Sequence, residues 1–243
     1  MILKVLWMYH DVMDLYGDKG NMRVLQKRCE DRGIEIVIDT CDRGENKVLS
    51  DYDILFIGGG ADKEQSLLYE DLLARKEAIL EALNQNTFIL LICGGYQFFG
   101  KHYIDNNNQH IEGLGIFDYF TESNPNVGRC IGNIAIEANL DGEKINVVGF
   151  ENHGGQSENV TTPFGRVLHG HGNQYKSEFE GFYNGQVLGT YMHGPLLPKN
   201  PEVADFVIRK GLQRNYGEVT LEKLDDSLEL KAKEVMLKRM HVL

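Results

Sequence analysis

The segment Phe88-Ile-Leu-Leu-Ile-Cys-Gly-Gly-Tyr-Gln-Phe-Phe-Gly100 decides the fold. Its first six residues are an apolar run of strand length, and two glycines break it before a new apolar, helix-like start. A run with no polar alternation predicts a strand buried on both faces, with strands beside it and helices over it. The residues before it supply these neighbours. Asp53-Ile-Leu-Phe-Ile57 is a second short buried strand, stopped by Gly58-Gly-Gly60, and residues 2–9 and 35–40 read as two more. Between them, residues 20–32 carry Met22, Leu25 and Cys29 at helical spacing. Residues 62–84 carry Leu68, Leu72, Ile79, Leu80 and Leu83 as an apolar stripe, with Asp62 placed to cap. Strands alternating with helices predict an α/β fold: a largely parallel sheet, right-handed crossovers and helices on both faces. Ligands gather at the carboxyl ends of such strands, where both glycine clusters fall.

From about residue 103 the pattern changes to strands with little helix, over 114–121, 130–138, 145–151 and 187–193. Turn signals at Asp105-Asn-Asn-Asn108 and Asp141-Gly142 separate them, which predicts extra sheet flanking the parallel core. Helix returns from Pro201, and residues 227–240, with Leu228, Val235 and Leu237, read as a solvated surface helix. With no repeat and no linker, residues 1–243 are expected to form one domain.

Composition narrows the function classes. Hydrophobic residues make up 42% and charged residues 25% of the 243, an ordinary globular balance. The net charge of −11 gives a field that repels phosphates, so nucleic acid is not expected as a partner. The longest apolar run is far below the roughly 18 residues a membrane span needs. His10 and Asp11 arrive too soon for a secretory leader, so a cytoplasmic protein is expected. Cys29, Cys41, Cys93 and Cys130 lack metal-type pairing and are expected as reduced thiols.

A cysteine between a buried strand and two glycines has the layout of a nucleophile elbow, where small neighbours allow a strained turn and the next helix aims its N–H groups at the thiol. The alternative is packing, because free cysteine is often simply buried. A nucleophilic cysteine needs a base. His193 ends the strand Val187-Leu-Gly-Thr-Tyr-Met-His193, and His153, in Phe150-Glu-Asn-His-Gly-Gly155, is the second candidate. His169-Gly-His171 places two rings on one face of a strand, but no third ligand stands at recognisable spacing and no metal site is expected. Gly58-Gly-Gly60 lacks the spacing of the nucleotide loops and reads either as a donor loop for an oxyanion or as a plain turn.

Ile57-Gly-Gly-Gly60, Ile92-Cys-Gly-Gly-Tyr-Gln97 and Tyr191-Met-His-Gly-Pro195 together resemble the triad-class glutamine amidotransferases, in the branch related to cobyric acid synthase. Leu15-Tyr-Gly-Asp-Lys-Gly-Asn21 and His193-Gly-Pro-Leu-Leu-Pro-Lys-Asn200 are similar to the glutaminase subunits of lipid II isoglutaminyl synthases, two-protein enzymes that amidate the second-position glutamate of the peptidoglycan stem peptide. The resemblance implies a three-layer class I glutamine amidotransferase-like fold. It makes Cys93 the nucleophile and His193 the general base, with Gly60 and the N–H of Gly94 as oxyanion donors. It also implies that Gln97, Asn152 and His153 line the glutamine pocket and that Arg129 holds the glutamine carboxylate. No cofactor is implied in this chain. The implied partner is a Mur-ligase-like synthetase that uses ATP and Mg²⁺, receives the ammonia and alone meets lipid II. One departure stands out: many triad-class enzymes have Glu two residues after the histidine, and here that position is Pro195. A carboxylate from the partner subunit is therefore expected to complete the site. Three other readings remain: the glutaminase part of a cobyric acid synthase-like amidotransferase, a cysteine-elbow hydrolase of similar architecture, and a subunit without chemistry.

Overall fold

The computed structural model describes residues 1–60 and 62–243, the side chains of 62–67 excepted, so the expected capping side chain of Asp62 lies outside the described residues. The chain runs β1 (Ile2–Met8), α1 (Lys19–Glu30), β2 (Glu35–Cys41), β3 (Ile54–Ile57), α2 (Asp62–Ala74), α3 (Lys76–Asn84), β4 (Phe88–Ile92) and α4 (Gly94–Phe98). The strands β5 (His102–Ile104), β6 (His110–Glu112), β7 (Phe120–Ser123), β8 (Cys130–Leu140), β9 (Glu143–His153) and β10 (Gly155–Glu158) follow. Then come β11 (Gly165–His169), β12 (Phe179–Glu180), β13 (Phe182–Tyr183), β14 (Val187–Thr190), α5 (Leu196–Lys199), α6 (Pro201–Tyr216) and α7 (Ser227–Arg239).

The core is a six-stranded sheet in the order β13-β14-β4-β3-β1-β2, parallel except for β13. Every residue of β3 and β4 is buried, as their unbroken apolar sequences require. Register matters for the site. Met8 pairs with Ile57, Ile57 with Leu91, and Thr190 with Ile92, so four strands finish at one carboxyl edge. Gly58, Cys93 and Tyr191 lie immediately beyond it. On one face α6 packs so closely that a methyl at Gly211 would lie 2.7 Å from Leu3 and Ile54 side-chain carbons.

Two further four-stranded sheets, β10-β7-β5-β6 and β12-β11-β8-β9, form the second half. The long β8–β9 hairpin pairs continuously from Leu140–Glu143, beside the expected turn at Asp141-Gly142, to Cys130–His153. That far end delivers Arg129, Asn152 and His153 toward the carboxyl edge of the core sheet. A two-residue bridge joins them: Phe150 and His193 exchange both backbone hydrogen bonds, at 2.7 and 3.1 Å.

Three expectations change. The helix expected over 62–84 is two helices broken at Arg75, whose guanidinium reaches Asp71, Asp42 O and Glu45 O and ties the break to the loop after β2. Residues 114–119 are not strand, because Leu114, Gly115 and Phe117 donate to Phe98, Gly100 and Phe99 at the exit of α4. Finally, α7 is more than a solvated element. Leu237 and Met240 are buried against Ala135 and Val148 of the β8–β9 hairpin, whereas Leu228 and Val235 are exposed. Among the described residues no helix is long and apolar enough to cross a membrane, and all four cysteines are free thiols.

Candidate functional site

Cys93 is the first residue past β4 and adopts φ 49°, ψ −103°, a left-handed conformation that is strained for a residue with a side chain. Its surroundings impose it. Cys93 N–H donates to Thr190 O at 2.8 Å, and its carbonyl accepts from Gln97 N–H at 3.0 Å. The helix start after it presses onto the neighbouring strand end, where a methyl at Gly95 would lie 2.7 Å from Ile57 O. Gly95, the second glycine after the cysteine, is therefore a packing requirement of the elbow.

His193 arrives from the adjacent strand, its backbone clamped by Phe150. Gly59 shows how close the two side chains come. A methyl there would lie 2.6 Å from His193 Cε1 and 3.4 Å from Cys93 Cβ, so glycine is the residue that lets thiol and imidazole share the space. The imidazole is fully buried, with the Tyr16 ring edge-on to it at 5.1 Å. Burial, with a smaller contribution from His153, pushes its pKa down to about 3, which keeps the ring neutral at pH 7.

A third group stands beside it. Asp18, also fully buried, accepts a hydrogen bond from Gly59 N–H on Oδ2 at 2.6 Å and presents Oδ1 at 4.0 Å from His193 Nδ1. Burial raises this carboxyl to about 7, against the lowering effect of the Gly59 N–H and with a further upward push from Asp14. Because Gly59 N–H is committed to Asp18, it is not available to an oxyanion.

The pocket before the thiol, about 180 Å³, brings together Gly60, Cys93, Gln97, Arg129, Asn152 and His153, joined by Leu15, Tyr16, Tyr103, Gly154 and Gly155. Gly94 begins α4 behind the thiol and is buried. Gln97 Nε2 donates to Tyr191 Oη at 3.2 Å, and Tyr191 Oη is bonded to Ser157 Oγ, itself bonded to Thr121 Oγ1, each at 2.7 Å. His153 stacks on the Tyr191 ring at 3.7 Å, with Nδ1 at 2.7 Å from Gly155 O, so that nitrogen carries the proton and the ring is a fixed wall. At the mouth, Arg129 donates to Asn152 Oδ1 at 3.1 and 3.2 Å, and Asn152 Nδ2 donates to Tyr16 Oη. A thiol, a neutral imidazole, a guanidinium at the entrance and amide donors at the base suit nucleophilic attack on an amide whose other end is an anion.

A family profile for the CobB/CobQ-like glutamine amidotransferase domain matches residues 4–201. The chain belongs to that family. It is 39% identical over 237 residues to the lipid II isoglutaminyl synthase (glutamine-hydrolyzing) subunit GatD of Staphylococcus aureus (strain N315), with 96% of each chain covered. It is 35% identical over 229 residues to the subunit of the same name from Streptococcus pneumoniae (strain ATCC BAA-255 / R6), covering 93% of this chain and 87% of the relative. A crystal structure described as a glutamine amidotransferase shares the fold, with a TM-score of 0.53 and 12% identity over 85% of this chain and 98% of that one.

Sequence reasoning about this amidotransferase missed Asp18, Tyr16 and Tyr191. Asp18 and Tyr16 lie in Leu15-Tyr-Gly-Asp-Lys-Gly-Asn21, a motif that carried the resemblance without a role for each residue. An acidic residue just before an apolar-periodic helix is ordinarily an N-cap, so nothing local marks Asp18 as part of a site. His169 and His171 do not share a strand face: β11 ends at His169, and His171 lies beyond it, stacked on Tyr175 at 4.6 Å. Among the described residues the one group with metal-like spacing is His10, Asp11 and Asp42, outside the pocket.

Proposed function

We propose that this chain is the glutamine-hydrolysing subunit of a lipid II isoglutaminyl synthase and acts in the cytoplasm. The observation that carries the reading is the convergence of Cys93 and His193 on Gly59, with Cys93 and Arg129 lining one pocket beside it. Relatives of that name that align over nearly their whole length support the acceptor pathway.

Glutamine enters with its α-carboxylate on Arg129 and its side-chain amide over Cys93. His193 Nε2 takes the thiol proton and the thiolate attacks the amide carbon. The oxyanion rests on the N–H groups of Gly60 and Gly94. His193 returns the proton to the departing nitrogen, and ammonia leaves a γ-glutamyl thioester. Water, deprotonated by the same imidazole, cleaves the thioester to glutamate and restores the thiol. The chain supplies nitrogen only. A Mur-ligase-like synthetase with ATP and Mg²⁺ activates the stem-peptide D-glutamate of lipid II and takes the ammonia before it is lost as ammonium.

Cys93→Ala tests this in the reconstituted complex. Amidation from free ammonia is expected to persist while amidation from glutamine falls at least about 10³-fold, the scale seen when a covalent nucleophile is removed. Alkylation of Cys93 by 6-diazo-5-oxo-norleucine in the wild-type complex is expected alongside. Glutamine-dependent amidation that survives Cys93→Ala would sink the mechanism, and a cobalamin-pathway synthetase as co-purifying partner would overturn the acceptor.

A further inference from the structure

We propose that His10, Asp11 and Asp42 form a binding site for one divalent transition metal of the zinc class, at the exit of β1 and β2 and apart from the glutamine pocket. The site rests on its own residues and is independent of the glutaminase reading above.

Strand register brings the three together. Met8 and Cys41 are the last paired residues of β1 and β2, and Tyr9 N–H still donates to Cys41 O at 2.9 Å, so His10 and Asp42 leave the two strands side by side. Tyr9 takes φ 56°, in the left-handed region, and the N–H groups of Val12 and Met13 close the turn on its carbonyl. His10 Nδ1 then lies 2.8 Å from Asp42 Oδ2, and Nε2 lies 3.1 Å from Asp11 Oδ1. One ligand atom from each residue falls within 4.8 Å of the others. Asp42 is far along the chain from His10-Asp11, so no motif spacing reveals the group.

Two observations separate this group from an ordinary histidine between two acids. First, despite its 2.8 Å approach to Asp42, His10 Nδ1 is a buried atom with no hydrogen-bond partner among the described residues. Asp42 Oδ1 and the Nε1 of Trp7, whose ring stands edge-on to His10 at 5.6 Å, are in the same condition. Buried polar atoms are nearly always satisfied, and a cation carrying a water satisfies a ring nitrogen, a carboxylate oxygen and an indole N–H together. Second, the negative charge is unanswered. No lysine or arginine among the described residues pairs with Asp11 or Asp42. Arg75 spends its guanidinium on Asp71, the Asp42 and Glu45 carbonyls and the Cys41 thiol. Asp71 accepts from Arg75, Tyr9 and Gly44, which leaves it out of the ligand set. Two carboxylates and one imidazole, which binds metals in its neutral form, match a divalent charge. One nitrogen with two oxygens suits Zn²⁺ and its borderline neighbours, whereas Mg²⁺ and Ca²⁺ favour oxygen alone. Asp11 is exposed and is the ligand that moves to close the set. The metal ties the turn leading to Leu15 and Tyr16 of the glutamine pocket to the loop after β2.

Trp7 is the only tryptophan in the chain, which makes the test direct. The full-length protein is freed of metal by chelation and titrated with Co²⁺, whose open d shell quenches a nearby indole. Trp7 emission is expected to fall with one-to-one stoichiometry, together with the visible absorption of a Co²⁺ ion ligated by nitrogen and oxygen. Zn²⁺, which has no d–d transitions and competes for the same donors, is expected to reverse both signals, and Mg²⁺ in large excess to reverse neither. Asp42→Asn keeps the shape and is expected to weaken Co²⁺ at least about tenfold, the scale seen when support for a metal is removed. His10→Gln is expected to abolish the quenching, and the double change His169→Gln, His171→Gln to leave it unchanged. Free Zn²⁺ at about 100 times its Kd is expected to raise the wild-type thermal midpoint by about 5–10 °C. Absence of quenching in the wild type, or quenching only at roughly millimolar Co²⁺, the range of weak sites, overturns the proposal however the variants fold. Quenching that survives both Asp42→Asn and His10→Gln puts the ion on other residues and overturns it as well.

Discussion

Burial acts on His193 and Asp18 in opposite directions, and the consequence is visible in stability as well as catalysis. His193 is lowered to about 3, so its folded form refuses a proton that the unfolded chain accepts below about 6.5. Alone, that makes stability fall as pH drops from about 6.5 toward 3. Asp18 is raised to about 7, so its folded form keeps a proton that the unfolded chain releases above about 3.8, which makes stability fall as pH rises through that range. Between about pH 4 and 6.5 folded and unfolded states then bind the same number of protons at this pair, with Asp14 and His153 as further titratable neighbours. The pair contributes almost no slope there. Asp18→Asn removes one side of the balance, so relative to wild type its stability is expected to fall by about 1.4 kcal/mol per pH unit as pH drops through this window. Urea unfolding of both proteins from pH 4.5 to 6.5 measures it, and parallel curves would mean that folded Asp18 does not keep its proton in this range. At this scale Cys93 was legible because its signal is local, a strand, a thiol and two glycines in succession. Asp18 was not, since its local setting is that of a helix cap and its partner comes from the other end of the chain.

Elements place these residues with uneven transparency to sequence. The parallel strands were readable from their apolar runs, whereas the break at Arg75 was not, because it depends on carbonyls of the loop after β2. Residues 114–119 looked like strand and instead bond the exit of α4. Helix α7 is the clearest case. Its charged sequence suggested a solvated surface, but Leu237 and Met240 clamp the β8–β9 hairpin whose far end carries Arg129 and Asn152. Lys233 ties the same helix to α6 with an ion pair to Glu202 at 2.9 Å while itself only 5% exposed. Leu237→Ala is expected to cost about 2–3 kcal/mol, the low end for a buried leucine, since its site borders solvent. For a chain of this length that lowers the thermal midpoint by about 5–10 °C. The contact lies in the hairpin's middle, so KM for glutamine is expected to stay within about twofold. Calorimetry and steady-state kinetics on the one variant check both. A midpoint shift under 2 °C would show that α7 is not a clamp.

At the scale of the whole molecule, the two halves of the chain divide the work and meet at one place. The parallel sheet brings Cys93 and His193 to a single carboxyl edge, and the antiparallel hairpin brings Arg129 and Asn152 over it. Their direct backbone link at that edge is the short Phe150–His193 bridge, with the Tyr16–Asn152–Arg129 chain across the mouth. On the proposed mechanism, a glutamyl group bonded to Cys93 would place its carboxylate on Arg129 and span the same gap. It would add a charge-assisted tie to the shared core and the Asn200–Val148 hydrogen bonds that already join the hairpin to the rest of the chain. The 6-diazo-5-oxo-norleucine adduct retains the α-carboxylate, so it is expected to protect the amides of residues 129–131 and 150–155 from hydrogen exchange. It should also raise the thermal midpoint by on the order of 5 °C, the equivalent of roughly 2 kcal/mol for a chain this long. Iodoacetamide fills the thiol without a carboxylate, and Arg129→Ala removes the other anchor. Alkylation by the first, or the adduct formed on the second, is expected to leave hairpin exchange unchanged. Equal protection by both reagents would show that occupancy of Cys93 alone orders the mouth, and that Arg129 does not join substrate to the second sheet.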